Sequence, residues 1–178
     1  NYPEAIKYYQ TALNVYTEIG NKTGVASANS GIGLVSAEQG NYPAAIQNYL
    51  AALKICEEMG DKSGMATVYN NMGNIYRSQN NYSEALKYYH AALKIRKESG
   101  GKAGIATAYV NIGTIYQRQR NYSEALKYFL ASLKISEEIA DKRTLSITYA
   151  YIGTNYNEEG NYTEALKNFL VSQNIAEE

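Results

Sequence analysis

Apolar and polar residues recur along the sequence with the spacing of amphipathic α-helices, and the whole pattern returns every forty residues. The repeat at 61–100 shows it most clearly. In its first half, the apolar or small positions fall on one half of a helical wheel: Met65, Val68, Tyr69, Met72, Gly73, Ile75 and Tyr76. In its second half, they are Tyr82, Ala85, Leu86, Tyr89, Ala92, Leu93 and Ile95. The pattern predicts two helices in each repeat, each with one buried face.

Residues between the two halves predict where these helices begin and end. Asp61 or Ser63 can cap the first helix, which would run to about Gln79. Asn81 can cap the second, and Glu84 follows it at the spacing of a capping box. Glycine follows the second helices, where a left-handed residue commonly ends a helix: Gly20, Gly60 and Gly100. The short linkers predict that successive helices are antiparallel.

The motif Asn-Tyr-x-x-Ala marks the repeats, at 1–5, 41–45, 81–85, 121–125 and 161–165. A fixed period of roughly 20–50 residues is typical of solenoids, in which each repeat packs on its neighbours. We divide the sequence into a half repeat at 1–20 and repeats at 21–60, 61–100, 101–140 and 141–178. The expected fold is all-α, a single array of antiparallel helix hairpins. Because Asn1 falls inside the motif, we expect the sequence to be an excerpt of a longer protein.

Residues at particular offsets make each unit resemble the tetratricopeptide repeat. The family's signature of aromatic, small and aliphatic residues is matched in the repeat at 61–100 by Tyr69, Met72, Gly73, Tyr76, Ala85, Tyr89 and Ala92. The repeat at 101–140 matches it with Tyr109, Ile112, Gly113, Tyr116, Ala125, Phe129 and Ser132, and the repeat at 141–178 with Tyr149, Ile152, Gly153, Tyr156, Ala165, Phe169 and Ser172. The repeat at 21–60 matches less well, since Asn29 and Ser36 replace aromatics.

The period of forty residues exceeds the family's common value of about 34. This longer variant is similar to the arrays of kinesin light chain, of polarity adaptors with Leu-Gly-Asn repeats, and of sensory regions in bacterial kinases and cyclases. The resemblance implies a right-handed superhelical solenoid whose first helices line a concave groove.

Composition excludes several classes of function. Seventeen basic and seventeen acidic residues leave no net charge to attract nucleic acid or an anionic membrane. No apolar run approaches the ~20 residues of a membrane span. The single cysteine fits a reducing compartment, so we expect a cytoplasmic protein. We expect no enzyme activity, cofactor or metal, because Cys56 aligns with Arg96 at a partly exposed position and His90 aligns with leucines at a packing position.

Polar residues on the first helices are the candidates for binding. They are Thr67, Asn70, Asn71, Asn74 and Arg77, continued one repeat later by Thr107, Asn111, Thr114, Gln117 and Arg118. Amides donate and accept hydrogen bonds, so they can grip an extended peptide backbone, and arginines can meet acidic side chains of that peptide. Glutamates at Glu38, Glu158 and Glu159 predict acidic ends for the groove. The alternative is a solvated face whose amides bridge neighbouring helices.

Three functions remain open. The first is a scaffold that binds a peptide or partner segment in the groove; changing Asn70, Asn74 and Arg77 together should then abolish binding without lowering the melting temperature. The second is a regulatory region of a larger signalling enzyme, such as a kinase or cyclase. The third is self-association through an uncovered C-terminal helix, whose apolar residues are Leu166, Phe169, Leu170 and Ile175.

Overall fold

The computed structural model describes residues 1–177, and in that range it contains nine α-helices and no strand. The helices are α1 (Tyr2–Glu18), α2 (Lys22–Glu38), α3 (Tyr42–Met59), α4 (Lys62–Ser78), α5 (Tyr82–Ser99), α6 (Lys102–Arg118), α7 (Tyr122–Glu138), α8 (Lys142–Glu158) and α9 (Tyr162–Glu177). The even-numbered helices are the predicted first helices, and the odd-numbered ones are the second helices. The all-α fold of successive helix hairpins is confirmed.

Side-chain caps begin most of the first helices. The carboxylate of Asp61 accepts a hydrogen bond from the Gly64 N–H at 2.9 Å, so Asp61, and not Ser63, caps α4. The Asn21 side chain caps α2 in the same way through the Gly24 N–H, at 2.9 Å. These caps satisfy N–H groups that have no partner within the helix, and they set where each helix begins.

Left-handed residues lie between the helices, as predicted. Gly60 has φ +68° and ends α3, a conformation that costs glycine little because it has no Cβ. The predicted glycines Gly20 and Gly100 also have positive φ. Non-glycine residues adopt the same conformation in other linkers: Asn80, Arg120 and Ala140.

The core between consecutive helices combines small residues with aromatic rings. In one cluster, Ala45, Tyr49 and Ala52 of α3 pack with Val68 and Met72 of α4. In another, Phe129 and Leu133 of α7 pack with Ile152 of α8. Because the small residues let the backbones approach, the large rings fill the space between helices at the density of a protein interior.

The chain divides into two compact units, one formed by Asn1–Ile95 and one that begins at Arg96. The first holds α1 to α4 and most of α5. The second holds the end of α5 and the helices α6 to α9. The repeat boundaries drawn from the sequence stay a prediction.

The structure corrects the expected surroundings of two residues. Cys56 is buried, with 3% of its surface exposed, because Gly64 leaves space for its sulfur at the start of α4. Arg96 is the residue at the same offset in the next repeat, and the aliphatic part of its side chain packs on Gly104. His90 is exposed, and so are Leu50 and Leu130 at the same offset. Leucine at this position therefore does not indicate packing.

Candidate functional site

A cavity of about 250 Å³ lies in the first unit between α2 and α4, with α3 behind it. It contains three of the predicted site residues, Asn71, Asn74 and Arg77, all from α4. The sequence did not single out the opposite wall, apart from Glu38. The remaining residues that line the cavity are Leu34, Ala37, Tyr42, Tyr49, Ile75 and Ser78.

The amides of Asn74 and Asn71 have different surroundings. The Asn74 side-chain oxygen accepts a hydrogen bond from the Tyr89 hydroxyl at 2.7 Å, which ties α4 to α5. Asn74 thus stabilises the hairpin as well as lining the cavity. Asn71 is half-buried and lines the same cavity. The triple change of Asn70, Asn74 and Arg77 is consequently expected to lower stability, because it removes the Tyr89 contact.

The electrostatics of the cavity come from two charged side chains on opposite walls. Glu38 closes the last turn of α2, and Arg77 lies in the last turn of α4. Within residues 1–177, neither side chain forms an ion pair. Burial, and secondarily the negative charge of Glu38, raise the pKa of Tyr49 to about 12. The Tyr49 hydroxyl is protonated at neutral pH, as that of any tyrosine is, and the raised pKa extends this state further into alkaline solution.

The other candidates on α4, Thr67 and Asn70, do not line this cavity. The Thr67 hydroxyl donates to the carbonyl of Ser63 at 2.9 Å, and Asn70 also interacts with other groups of the chain. Thr67 lines a second cavity, of about 350 Å³, together with hydroxyl groups of α2 and α4. The sequence analysis missed this cavity, although Thr23, Ser27 and Ser30 stand one helical turn apart on α2.

Cys56 borders the second cavity without offering reactivity. Burial, followed by the charges of Asp61 and Glu57, raises the pKa of its thiol. Reactive cysteines are thiolates in electropositive surroundings, which is the opposite condition. We therefore assign Cys56 a packing role.

Two of the five candidates in the second unit, Thr114 and Gln117, are buried. Thr114 is buried and its hydroxyl donates to the carbonyl of Val110 at 2.8 Å. Gln117 is 5% exposed, and its amide donates to the carbonyl of Tyr151 at 3.2 Å, which bridges α6 and α8. Thr107 is exposed and donates to the carbonyl of Ala103, Asn111 is half-buried and Arg118 is exposed. Thr114 and Gln117 thus serve the chain's own packing.

No group of three or more His, Cys, Asp or Glu side chains in the described residues could hold a metal ion. None of the described helices is both long and apolar enough to cross a membrane.

A family model decides the identity of the repeats. The model described as tetratricopeptide repeat matches residues 1–58, 24–98 and 104–178. The chain belongs to the tetratricopeptide repeat family. No curated protein matches the sequence.

Solved structures share the fold of this tetratricopeptide repeat protein. BtubC (BKLC) from P. vanneervenii matches with a TM-score of 0.86 at 17% identity, over 98% of this chain and 73% of that one. The apo form of RapI matches with 0.83 at 22% identity, over 99% and 49%. A Rap protein complexed with Competence and Sporulation Factor matches with 0.79 at 16% identity, over 99% and 59%. The chain thus spans half to three fifths of the length of the Rap proteins.

Proposed function

We propose that this chain binds a peptide segment of a partner protein in the cavity between α2 and α4. Its family makes it a protein–protein interaction scaffold in general terms. The observation that carries the finer proposal is the cavity itself, where amides of α4 and the two unpaired charges of Glu38 and Arg77 face one space.

The chemistry of the cavity suits a peptide backbone. An asparagine amide both donates and accepts, so Asn71 can pair with a peptide group in either direction. The exposed side chain of Leu34 and the ring of Tyr42 offer apolar surface beside it. An apolar lining with a few polar groups placed in it is the usual composition of a ligand pocket. The similarity to a Rap protein complexed with Competence and Sporulation Factor also favours a peptide ligand.

Selection from a displayed library of random peptides tests the proposal. We expect the chain to enrich peptides, and the double variant Asn71→Ala with Arg77→Ala to bind them at least about tenfold more weakly, a loss of roughly 1.4 kcal/mol. Its melting temperature should be unchanged, because neither side chain is fully buried. We leave Asn74 intact in this variant to preserve its bond to Tyr89.

The matched control replaces an asparagine and an arginine that lie outside the cavity, Asn14→Ala with Arg143→Ala, and both residues are exposed. It should bind the selected peptides as the parent does. Failure to enrich any peptide, or equal binding by the cavity variant and the control, would contradict the proposal.

Self-association is the second candidate, and α9 supports it. Tyr162, Leu166 and Phe169 of α9 are 70%, 61% and 39% exposed. On α7, the equivalent Tyr122 is half-buried, Leu126 is half-buried against the cluster that α8 completes, and Phe129 is fully buried. This apolar face is therefore covered on α7 and open on α9.

Light scattering over a concentration series tests this candidate. We expect the mean mass to rise with concentration, and the variant Leu166→Lys with Leu170→Lys to stay monomeric. A constant monomer mass of the parent would exclude it. Regulation of a catalytic domain elsewhere in a longer protein stays a prediction, which the sequence of the full gene decides.

A further inference from the structure

We propose that the cavity between α2 and α4 takes the C-terminal residue of a peptide that ends in lysine or arginine. The side-chain cation would meet Glu38, and the terminal α-carboxylate would meet Arg77. This inference rests on the proposed function and specifies its ligand.

The two charges define the ligand because each lacks a partner in the described chain. A guanidinium binds a carboxylate through two parallel hydrogen bonds, the strongest geometry available to a neutral-pH ion pair in proteins. Glu38 offers the complementary site for a cation. Glu38 is exposed and Arg77 is half-buried, so both charges stay in contact with water, and a ligand with two opposite charges gains an attraction at each of them.

The charge of Glu38 places the cation on the side of α2. Glu38 lies in the last turn of that helix, where the free carbonyl groups also carry partial negative charge. A cation is therefore attracted by both the helix end and the glutamate. The last turn of α4 has the same free carbonyl groups, but there the positive charge of Arg77 offsets them and provides the position for an anion.

The apolar part of the cavity wall fits the long side chain of a lysine or arginine in the ligand. Leu34 is 48% exposed at the offset where the other first helices carry Asn74, Thr114 and Thr154. With Ala37 and Tyr42 it forms an apolar path towards Glu38. Lysine and arginine have methylene stems that pack on such surfaces while the charged end stays hydrated or paired.

The size of the cavity favours one residue that carries both charges. Its volume of about 250 Å³ lies below the ~300–1,000 Å³ of pockets for drug-sized ligands. Two charged side chains from separate residues would need more room than a single terminal residue. The Asn71 amide then remains available for the peptide group that precedes that residue.

Four acetylated pentapeptides test the inference by fluorescence anisotropy or calorimetry. All begin acetyl-Ala-Leu-Gly-Leu, and they end in lysine with a free carboxylate, lysine with a carboxamide, leucine with a free carboxylate, or glutamate with a free carboxylate. We expect the first to bind at least about tenfold more tightly than each of the other three. Equal binding of the lysine acid and the lysine amide would overturn the assignment of the α-carboxylate.

Charge exchange in the protein provides the second measurement. Glu38→Lys should reverse the order of the peptides that end in lysine and glutamate, and Arg77→Gln should remove the difference between acid and amide. Glu18→Lys, an exposed change in the last turn of α1, is the matched control and should alter neither preference. An unchanged order in Glu38→Lys would overturn the inference.

The two proposals fail in different ways. If library-selected peptides bind without any preference for a C-terminal lysine or arginine, this inference is wrong and the peptide-binding function stands. If no peptide binds at all, both are wrong.

Discussion

At the scale of the residue, Gly73 lets the ring of Tyr89 pack directly against the backbone of α4. A Cβ built at Gly73 would lie 2.5 Å from Cε1 of Tyr89, so the ring occupies the space that a side chain would need. The ring cannot easily move, because its hydroxyl is bonded to Asn74. The same approach of glycine and aromatic ring recurs in the other repeats, at Gly33 with Tyr49, Gly113 with Phe129, and Gly153 with Phe169.

We therefore expect Gly73→Ala to lower the free energy of unfolding by about 1–3 kcal/mol, the usual cost of overpacking a core. Chemical denaturation measures it. Ser83→Ala, at an exposed position on α5, should change stability by less than about 0.5 kcal/mol. Equal stability of the two variants would show that the ring can move aside.

Asn155 is a buried amide where the other repeats carry aliphatic residues. It aligns with Val35, Ile75 and Ile115, and its side chain is fully buried. The amide nitrogen donates to the carbonyl of Tyr122 at 3.2 Å, but its oxygen has no hydrogen-bond partner in the described residues. A buried acceptor without a partner costs stability.

We expect Asn155→Ile to raise the free energy of unfolding by about 1 kcal/mol, because it removes that acceptor and adds apolar burial. The reciprocal change, Ile115→Asn, should lower it by about 3 kcal/mol, because the same chemistry is imposed on a well-packed site. Thermal and chemical denaturation of both variants check the prediction. Destabilisation by Asn155→Ile would mean that the branched side chain does not fit.

At the scale of the helix, α6 differs from the other first helices of the repeats, α2, α4 and α8, because no side chain caps it. It begins after Gly101, where α2, α4 and α8 have Asn21, Asp61 and Asp141. A Cβ at Gly101 would meet its nearest heavy atom only at 3.6 Å, and its φ of −76° suits any residue. Gly101→Asp should thus add a cap and stabilise the chain by a few tenths to about 1 kcal/mol.

The gain from Gly101→Asp should depend on pH in a defined direction. Hydrogen bonds from the hydroxyl and then from the N–H of Thr144 lower the pKa of Asp141, which is the equivalent cap of α8. Residue 104 is glycine, so the new carboxylate would keep only the N–H donor. A lowered pKa means stabilisation that is present above the unfolded value of about 3.9 and is lost as pH falls through the folded value. The difference in melting temperature between the variant and the parent should therefore be largest at pH 7 and shrink as the carboxylate is protonated in acid. A difference that persists in acid would contradict the carboxylate cap.

The helices could be predicted from the sequence, but the use of their polar faces could not. Caps and the helical period are local, so the bounds of α4 were found to within one or two residues. Whether a polar face stays open depends on the next helix: α8 reaches Gln117 on α6 through the carbonyl of Tyr151. Periodicity shows which residues lie opposite the core, and it carries no information on what packs against them.

For the whole molecule, the balance of charge predicts which partners are excluded. The formal net charge is zero, so we expect little of the counterion release that drives nonspecific binding to nucleic acid. We expect no change in fluorescence anisotropy of a labelled DNA duplex of about 20 base pairs at physiological salt, where nonspecific dissociation constants of basic proteins reach ~10⁻⁴–10⁻⁶ M. Salt-sensitive binding in the micromolar range would contradict this prediction.

The sequence by itself determined the helices, their pairing into hairpins and the family, because helix periodicity, caps and repeated offsets are readable within forty residues. Only the tertiary structure decided that Glu38 and Arg77 share a cavity, that Asn74 bonds to Tyr89 and that Cys56 is buried. These outcomes depend on how closely two backbones approach. That distance is set by the packing of side chains from different helices, and no local pattern in the chain encodes it.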